Sequence, residues 1–110
     1  MRKIENAVAV AVAVESKNAI SLGNTVIDIH NNVLALTLYG NQILKADGDN
    51  VTINMCGYNT ATTRSRLNAA LMGINSSFKV KCKNGIARLL KNDELICDIP
   101  SSGEFTFAVK

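Results

Sequence analysis

Tryptophan is absent from the 110-residue sequence, proline and histidine occur once each, and aromatic residues make up only 5% of the chain. A folded core must therefore consist mainly of aliphatic side chains, which the sequence supplies, because hydrophobic residues account for 47% of it. This share of hydrophobic residues excludes an intrinsically disordered chain. The length is that of a single domain, which we assign to residues 1–110.

The residues that form most metal and redox sites are scarce. The cysteines are Cys56, Cys82 and Cys97, an odd number with no Cys-x-x-Cys pair, and we expect them to be buried, reduced thiols. His30 has no second histidine and no nearby cysteine with which to bind zinc. We therefore expect neither a metal nor another cofactor.

Familiar catalytic motifs are missing as well. The sequence contains no glycine-rich phosphate loop, no Gly-x-Ser-x-Gly nucleophile elbow and no cluster of histidines and carboxylates. Asp28 and His30 would face the same way on one strand, but the sequence ties no nucleophile to them. We therefore expect that the protein is not an enzyme.

No apolar run approaches the roughly 20 residues that a membrane-spanning helix needs, so we expect no membrane association. Residues 7–14 alternate alanine and valine. As a strand the segment would place every valine on one face, and as a helix it would be apolar all round, so both structures stay open. In either form the segment exposes more apolar surface than packing one face of it on the core would bury. We therefore expect a homo-oligomer that associates through this segment.

Charge is unevenly distributed along the chain. The net charge is only +3, but acidic residues are absent between Tyr58 and Lys91. Within this segment we expect a basic surface made of Arg66, Lys79, Lys81, Lys83 and Arg88. Such a surface either binds nucleic acid or a phosphorylated nucleotide, or only protects a sheet edge and keeps the protein in solution.

A central amphipathic helix is predicted over about residues 60–73. Hydroxyls at its start can accept hydrogen bonds from the amides of the first turn, with Thr60, Thr62 and Thr63 as candidates. Apolar residues then recur at helical spacing, at Leu67, Ala70, Leu71 and Ile74. On this spacing Arg64 lies half-buried beside Asn68 at the edge of the apolar stripe, whereas Arg66 and Ala69 point away from it.

Short alternating segments separated by turns occupy most of the remaining chain. Leu34, Leu36 and Leu38 share one face of a predicted strand, and Asn84-Gly85 is the strongest hairpin signal. We therefore predict an α+β fold: an antiparallel sheet of about 7–8 short strands, an N-terminal helix and the central amphipathic helix.

Two similar phrases, Gly23-Asn24-Thr25 and Gly40-Asn41-Gln42, each place an asparagine at a turn that leads into a strand. Their glycines and asparagines suit ordinary turn chemistry. The alternative is a binding site where these turns meet the start of the helix, with the candidate residues Asn24, Asn41, Tyr58, Asn59, Thr63, Arg64 and Asn68. For Arg64 the structural interpretation is a guanidinium bonded to loop carbonyls or to a carboxylate.

Several phrases together resemble small proteins encoded by tailed bacteriophages. They are the opening Met1-Arg-Lys-Ile-Glu, the Gly23-Asn-Thr25 phrase, Tyr39-Gly-Asn41, and the block Gly57-Tyr-Asn-Thr-Ala-Thr-Thr-Arg-Ser-Arg-Leu-Asn68. The phage proteins commonly carry His at the position of Tyr39 and an aromatic residue such as Trp at the position of Tyr58. The resemblance covers roughly the first 70 residues. It implies phage origin and favours an N-terminal helix, and it implies no particular activity.

Two functions from different classes follow from these observations. The first is that of a small phage accessory protein that binds a host or defence protein stoichiometrically, without catalysis, in the host cytoplasm. The second is binding of nucleic acid or of a phosphorylated nucleotide through the basic segment 58–91.

Overall fold

The computed structural model of the chain describes residues 20–22 and 24–109. The Ala/Val segment 7–14 and the predicted N-terminal helix lie outside the described residues.

The described residues form nine β-strands and one α-helix. In chain order they are β1 (Ile20–Leu22), β2 (Thr25–His30), β3 (Val33–Leu38), β4 (Asn41–Asp47), β5 (Asn50–Asn54), α1 (Ala61–Ile74), β6 (Phe78–Lys83), β7 (Ile86–Lys91), β8 (Glu94–Ile99) and β9 (Glu104–Ala108). The strands make a six-stranded sheet in the order β1-β2-β3-β4-β5-β9 and a three-stranded sheet in the order β6-β7-β8. All of these strand pairs are antiparallel.

The predicted fold class is wrong. The part of the chain described here is mostly β, with a single helix, and its strands divide between two sheets rather than forming one. The second sheet arises because β9 pairs with β5 and so occupies the edge of the six-stranded sheet. Strand β6 cannot pair at that edge and instead begins the three-stranded sheet. Residues 61–99 are therefore an insertion between two neighbouring strands of the six-stranded sheet.

Period-two alternation produces the core face of the six-stranded sheet. Leu34, Leu36 and Leu38 are all buried, as their spacing predicts. The strand registers align apolar residues in one row across five strands, namely Ile27, Leu36, Leu44, Ile53 and Phe105. A second row consists of Ile29, Leu34, Ala46, Val51 and Phe107. Removing these rows from water supplies the main driving force for packing the helix and the second sheet on this face.

Helix α1 confirms the predicted position of the central helix, but not the predicted orientation of Arg66 and Ala69. Both residues are buried, with 5% and 2% of their surface exposed. The buried residues of α1 are Thr63, Arg66, Leu67, Ala69, Ala70 and Leu71. At 100° per residue they span an arc of about 200°, twice the stripe that one packing surface requires. The wide arc arises because α1 packs against β6 as well as against β3 and β4.

The buried arginine is bonded to the six-stranded sheet. Arg66 Nε donates to Thr25 Oγ1 at 3.0 Å, and the Thr25 hydroxyl donates to Asn24 Oδ1 at 2.9 Å. Thr25 is fully buried at the start of β2. A buried guanidinium needs such partners because leaving a charged donor unpaired away from water is strongly destabilising. Arg66 therefore belongs to the interior and not to the predicted basic surface.

The two sheets share one core. Phe78 of β6 contacts Phe107 of β9 with ring centroids 5.3 Å apart, and Leu89 of β7 is fully buried in the same hydrophobic cluster. The chain leaves the six-stranded sheet after β5 and returns before β9. These two connections are joined by a hydrogen bond of 2.7 Å from Gly57 N to Ser101 O.

We predict that Thr25→Val lowers the free energy of unfolding by about 1–3 kcal/mol, because the buried Arg66 Nε loses its hydroxyl acceptor. Thr52→Val is the matched control, since the Thr52 and Thr106 hydroxyls also bond, at 2.9 Å, but on an exposed face. Water can replace that bond, so the control should change stability by less than about 0.5 kcal/mol. Urea denaturation measures both values. Equal effects would contradict a buried polar link between α1 and β2.

Candidate functional site

A cavity of about 510 Å³ opens where the six-stranded sheet meets the start of α1. Its walls come from the turn between β3 and β4, from the segment that follows β5 and from the first turn of the helix. The lining residues are Leu38, Tyr39, Asn41, Ile43, Met55, Cys56, Tyr58, Thr60, Thr62 and Thr63. This volume lies within the range of small-molecule sites, about 300–1,000 Å³.

The floor of the cavity is apolar. Leu38, Ile43 and Met55 are each at most 5% exposed. Ile43 reaches this side because the β3–β4 register shifts between Leu36 and Thr37, which buries Ile43 and Leu44 although they are consecutive. A β-bulge of this kind turns a side chain that would otherwise face the opposite side of the sheet.

The helix wall carries hydroxyl groups. Thr60 is the N-cap of α1, and its Oγ1 accepts a hydrogen bond of 3.2 Å from the Thr63 amide, as the sequence predicts. The hydroxyls of Thr60 and Thr63 also bond to each other at 3.1 Å. Thr62, between them, lines the cavity as well.

Two tyrosines at the rim are largely open to solvent. Tyr39 is 72% exposed and Tyr58 is 60% exposed. The direction of Tyr58 is set by a tight turn, because its amide donates to the Met55 carbonyl at 2.8 Å. Large aromatic side chains exposed to solvent are candidate contacts for a ligand or partner. Their burial removes a large apolar surface from water, while the tyrosine hydroxyl can still make a hydrogen bond.

The backbone beneath this rim is strained. Among the described residues, seven other than glycine have positive φ, and five of them are Asn or Asp, which tolerate that conformation. The two exceptions are Tyr39, with φ 50°, and Cys56, with φ 55°, and both line the cavity. A residue of this kind in the left-handed region costs of order 1 kcal/mol or more. In the described chain, the two residues with strained left-handed backbone therefore lie at the same cavity.

The predicted binding residues separate into two groups. Asn41, Tyr58 and Thr63 line the cavity, and Asn24 lies next to it, since its carbonyl accepts from the Tyr39 amide at 2.8 Å. The other candidates, Asn59, Arg64 and Asn68, do not line it.

Arg64 and Asn59 join α1 to the hairpin of the three-stranded sheet. Arg64 Nη1 donates to the Asn59 carbonyl at 3.0 Å and also to the Asn59 side-chain oxygen. Asn59 Nδ2 donates in turn to the Gly85 carbonyl at 3.1 Å. The structural interpretation of Arg64, a half-buried side chain bonded to a loop carbonyl, agrees with this geometry.

Asn68 holds the edge of the three-stranded sheet. Its Nδ2 donates to the Val80 carbonyl at 2.8 Å, and its Oδ1 accepts from the Val80 amide at 2.7 Å. The side-chain amide therefore pairs with β6 as a neighbouring strand would. Since β6 is an edge strand among the described residues, its outward-facing backbone groups need such a partner.

The other residues of the predicted basic surface lie on the outer face of the three-stranded sheet. Lys79, Lys81 and Lys83 are exposed and form a column on β6. Arg88, beside Lys81 on β7, has its Nε 3.4 Å from Asp98 Oδ1, within ion-pair distance of a carboxylate on the neighbouring strand. The positive charge of this face is concentrated on the three lysines.

Exposed aliphatic side chains accompany the lysines. Ile86, opposite Lys83, is 44% exposed, and Leu95 of β8 is 53% exposed. Leu90 connects Lys79 to Leu95 in one row across the three strands. We call the outer face of β6–β8, with the three lysines, Ile86, Leu90 and Leu95, the lysine–aliphatic face.

The thiols and the single histidine form no reactive cluster in the described chain. The expectation of buried thiols is wrong, because Cys82 is exposed and Cys56 and Cys97 are only half-buried. On β6, burial is limited to Phe78 and Val80 and does not extend to Cys82 near the end of the strand. Burial, and secondarily the neighbouring Asp98 carboxylate, raises the pKa of Cys97. No group of three or more potential metal ligands occurs among the residues described.

Sequence reasoning missed Tyr39 and Cys56. It placed the β3–β4 turn at Gly40-Asn41, whereas the turn residues are Tyr39-Gly40 and β4 already begins at Asn41. The apolar residues Leu38 and Ile43 on either side of Tyr39-Gly40 could have indicated this position of the turn. Gly57 predicts a turn after β5, but it does not predict that Cys56 itself adopts a positive φ.

The family model of the Kyanoviridae Gp96 protein matches residues 1–106 of the chain. The chain belongs to this family. It is therefore a small tailed-phage protein, in agreement with the resemblance noted in the sequence. No curated protein and no solved structure matches the chain. Within the described residues, no helix is long and apolar enough to cross a membrane.

We predict that Tyr39→Asn raises the free energy of unfolding by about 0.5–1 kcal/mol, because Asn relieves the left-handed strain and the exposed ring loses little packing. Asn84→Tyr is the reverse control, since the positive φ values of Asn84-Gly85, 54° and 77°, are close to those of Tyr39-Gly40, 50° and 81°. It should lower stability by a similar amount. Thermal or urea unfolding measures both variants, and a destabilised Tyr39→Asn would show instead that the ring supports the fold.

Proposed function

We propose that this phage protein is an accessory factor that binds a host or defence protein stoichiometrically and without catalysis. The observation that carries the proposal is the lysine–aliphatic face, where exposed lysines and exposed aliphatic side chains occupy one side of a small sheet. Exposed apolar groups within a charged surround are typical of protein interfaces.

The charge of this face favours an acidic partner surface. Lys79, Lys81 and Lys83 project from alternate positions of one strand, so their Cα atoms are spaced by about 7 Å along it. Carboxylates at similar spacing on a partner would complement them, which increases the association rate and selects against basic partners. Ile86 and Leu95 would supply apolar contacts between the charges.

The same geometry disfavours the nucleic-acid alternative. Of the five residues predicted to form a basic surface, Arg66 is buried and Arg88 pairs with Asp98. Arg64, in the same segment, bonds to Asn59. Three lysines on one strand are a small phosphate-binding footprint. The described outer face of β6–β8 also carries no aromatic side chain on which a base could stack.

Two further expectations belong to this proposal. Self-association through residues 7–14 stays a prediction, because that segment lies outside the described residues. Action within the host cytoplasm is likewise proposed, and it rests on membership of a phage family and on the kind of partner inferred.

The test is affinity capture from host lysate with the tagged full chain and three variants. Lys81→Glu and Leu95→Asp alter the face, and Lys45→Glu is the control, because Lys45 is an exposed lysine on the six-stranded sheet. We expect a captured protein near equimolar ratio that survives nuclease treatment, with retention at least about tenfold lower for both face variants and unchanged for the control.

Circular dichroism confirms that each variant is folded. Capture of material that nuclease removes would contradict the proposal and favour nucleic-acid binding. Retention that is equal for the wild type and both face variants would exclude this face as the interface.

A further inference from the structure

We propose that the cavity at the start of α1 binds an uncharged planar heteroaromatic molecule of the nucleoside class. The cavity has a volume of about 510 Å³, and it combines an apolar floor, a wall of hydroxyls and two exposed tyrosines. The site uses residues distinct from the lysine–aliphatic face, so it is independent of the protein-binding proposal.

The lining residues favour an uncharged ligand. No Asp, Glu, Lys, Arg or His is among the described residues that line the cavity. A charged group bound here would lose hydration without gaining a charged partner, which is costly. The recognised part of the ligand is therefore neutral.

Polar groups in the wall favour a heteroaromatic ring over a hydrocarbon. The side chains of Asn41 and Thr62 make no hydrogen bond to another described residue, whereas Thr60 and Thr63 bond to each other. An amide offers both donors and an acceptor, which matches the paired donors and acceptors at the edge of a base. A ring with heteroatoms at its edge can bond to these groups, whereas a hydrocarbon ring gains nothing from them.

The tyrosines supply aromatic faces for a planar ligand. Tyr39 and Tyr58 are the most exposed of the large hydrophobic residues described, although both border a cavity. Tyr39 and Cys56 also hold strained left-handed backbone at this cavity, and the other described non-glycine positions with positive φ use Asn or Asp. The stability given up at these two turns is explained if their side chains contact a ligand.

The test is a titration of the ¹⁵N-labelled full chain with adenosine and with uridine, followed by NMR. We expect saturable shifts confined to the amides of Tyr39 to Asn41, Cys56 to Tyr58 and Thr62. Tyr58→Ala should raise Kd about tenfold or more through loss of stacking. Asn41→Ala should raise it several-fold for the nucleosides.

Tyr39→Asn separates a ligand contact from a structural role. It should weaken nucleoside binding while the protein becomes more stable, a combination that a merely structural tyrosine would not produce. Asn92→Gly is the control, because Asn92 also has positive φ, 52°, but is not among the cavity residues. It should leave the nucleoside Kd unchanged.

Indole, titrated in the same way, distinguishes the alternative occupant, an aromatic side chain of a partner protein. Absence of shifts at the cavity with both nucleosides at millimolar concentration would overturn the proposal. Indole that binds more tightly than either nucleoside, with a Kd insensitive to Asn41→Ala, would overturn it equally, because the cavity would then select an apolar ring.

Discussion

The fold depends on one helix that is bonded to two sheets by polar side chains. Arg66 of α1 reaches Thr25 in the six-stranded sheet, and Asn68, two residues later, pairs with the backbone of Val80 in the three-stranded sheet. Aliphatic burial supplies most of the driving force, but it is non-directional. These hydrogen bonds have fixed geometry, so they set the position and rotation of the helix between the sheets.

The site follows from that arrangement. Because β9 pairs with β5, the inserted residues 61–99 must leave and re-enter the six-stranded sheet at neighbouring points, and the bond between Gly57 and Ser101 joins the two connections there. The outgoing connection turns sharply at Cys56 and carries Tyr58 to the rim of the cavity. The insertion also leaves the outer face of β6–β8 uncovered by other described strands, where lysines and aliphatic side chains meet.

Local features of this molecule could be predicted from the sequence, and long-range ones could not. The alternation of Leu34, Leu36 and Leu38, the Asn84-Gly85 hairpin and the threonine cap of α1 depend on neighbours in sequence, and all three predictions agree with the structure. Burial of Arg66 depends on a second sheet packing beside the helix, which no periodicity indicates. Of the predicted site, Asn41, Tyr58 and Thr63 line one cavity, whereas Arg64 and Asn68 were chosen by helical spacing and make structural contacts.

The side chain of Asn68 substitutes for a neighbouring strand and so fastens the three-stranded sheet to α1. Native-state hydrogen exchange of the Val80 amide tests it most directly, in the wild type and in Asn68→Ala. We expect a protected Val80 amide in the wild type and protection at least about tenfold lower in the variant, with the Leu89 amide in the centre of the sheet changing less. Equal protection of the Val80 amide in both proteins would contradict it.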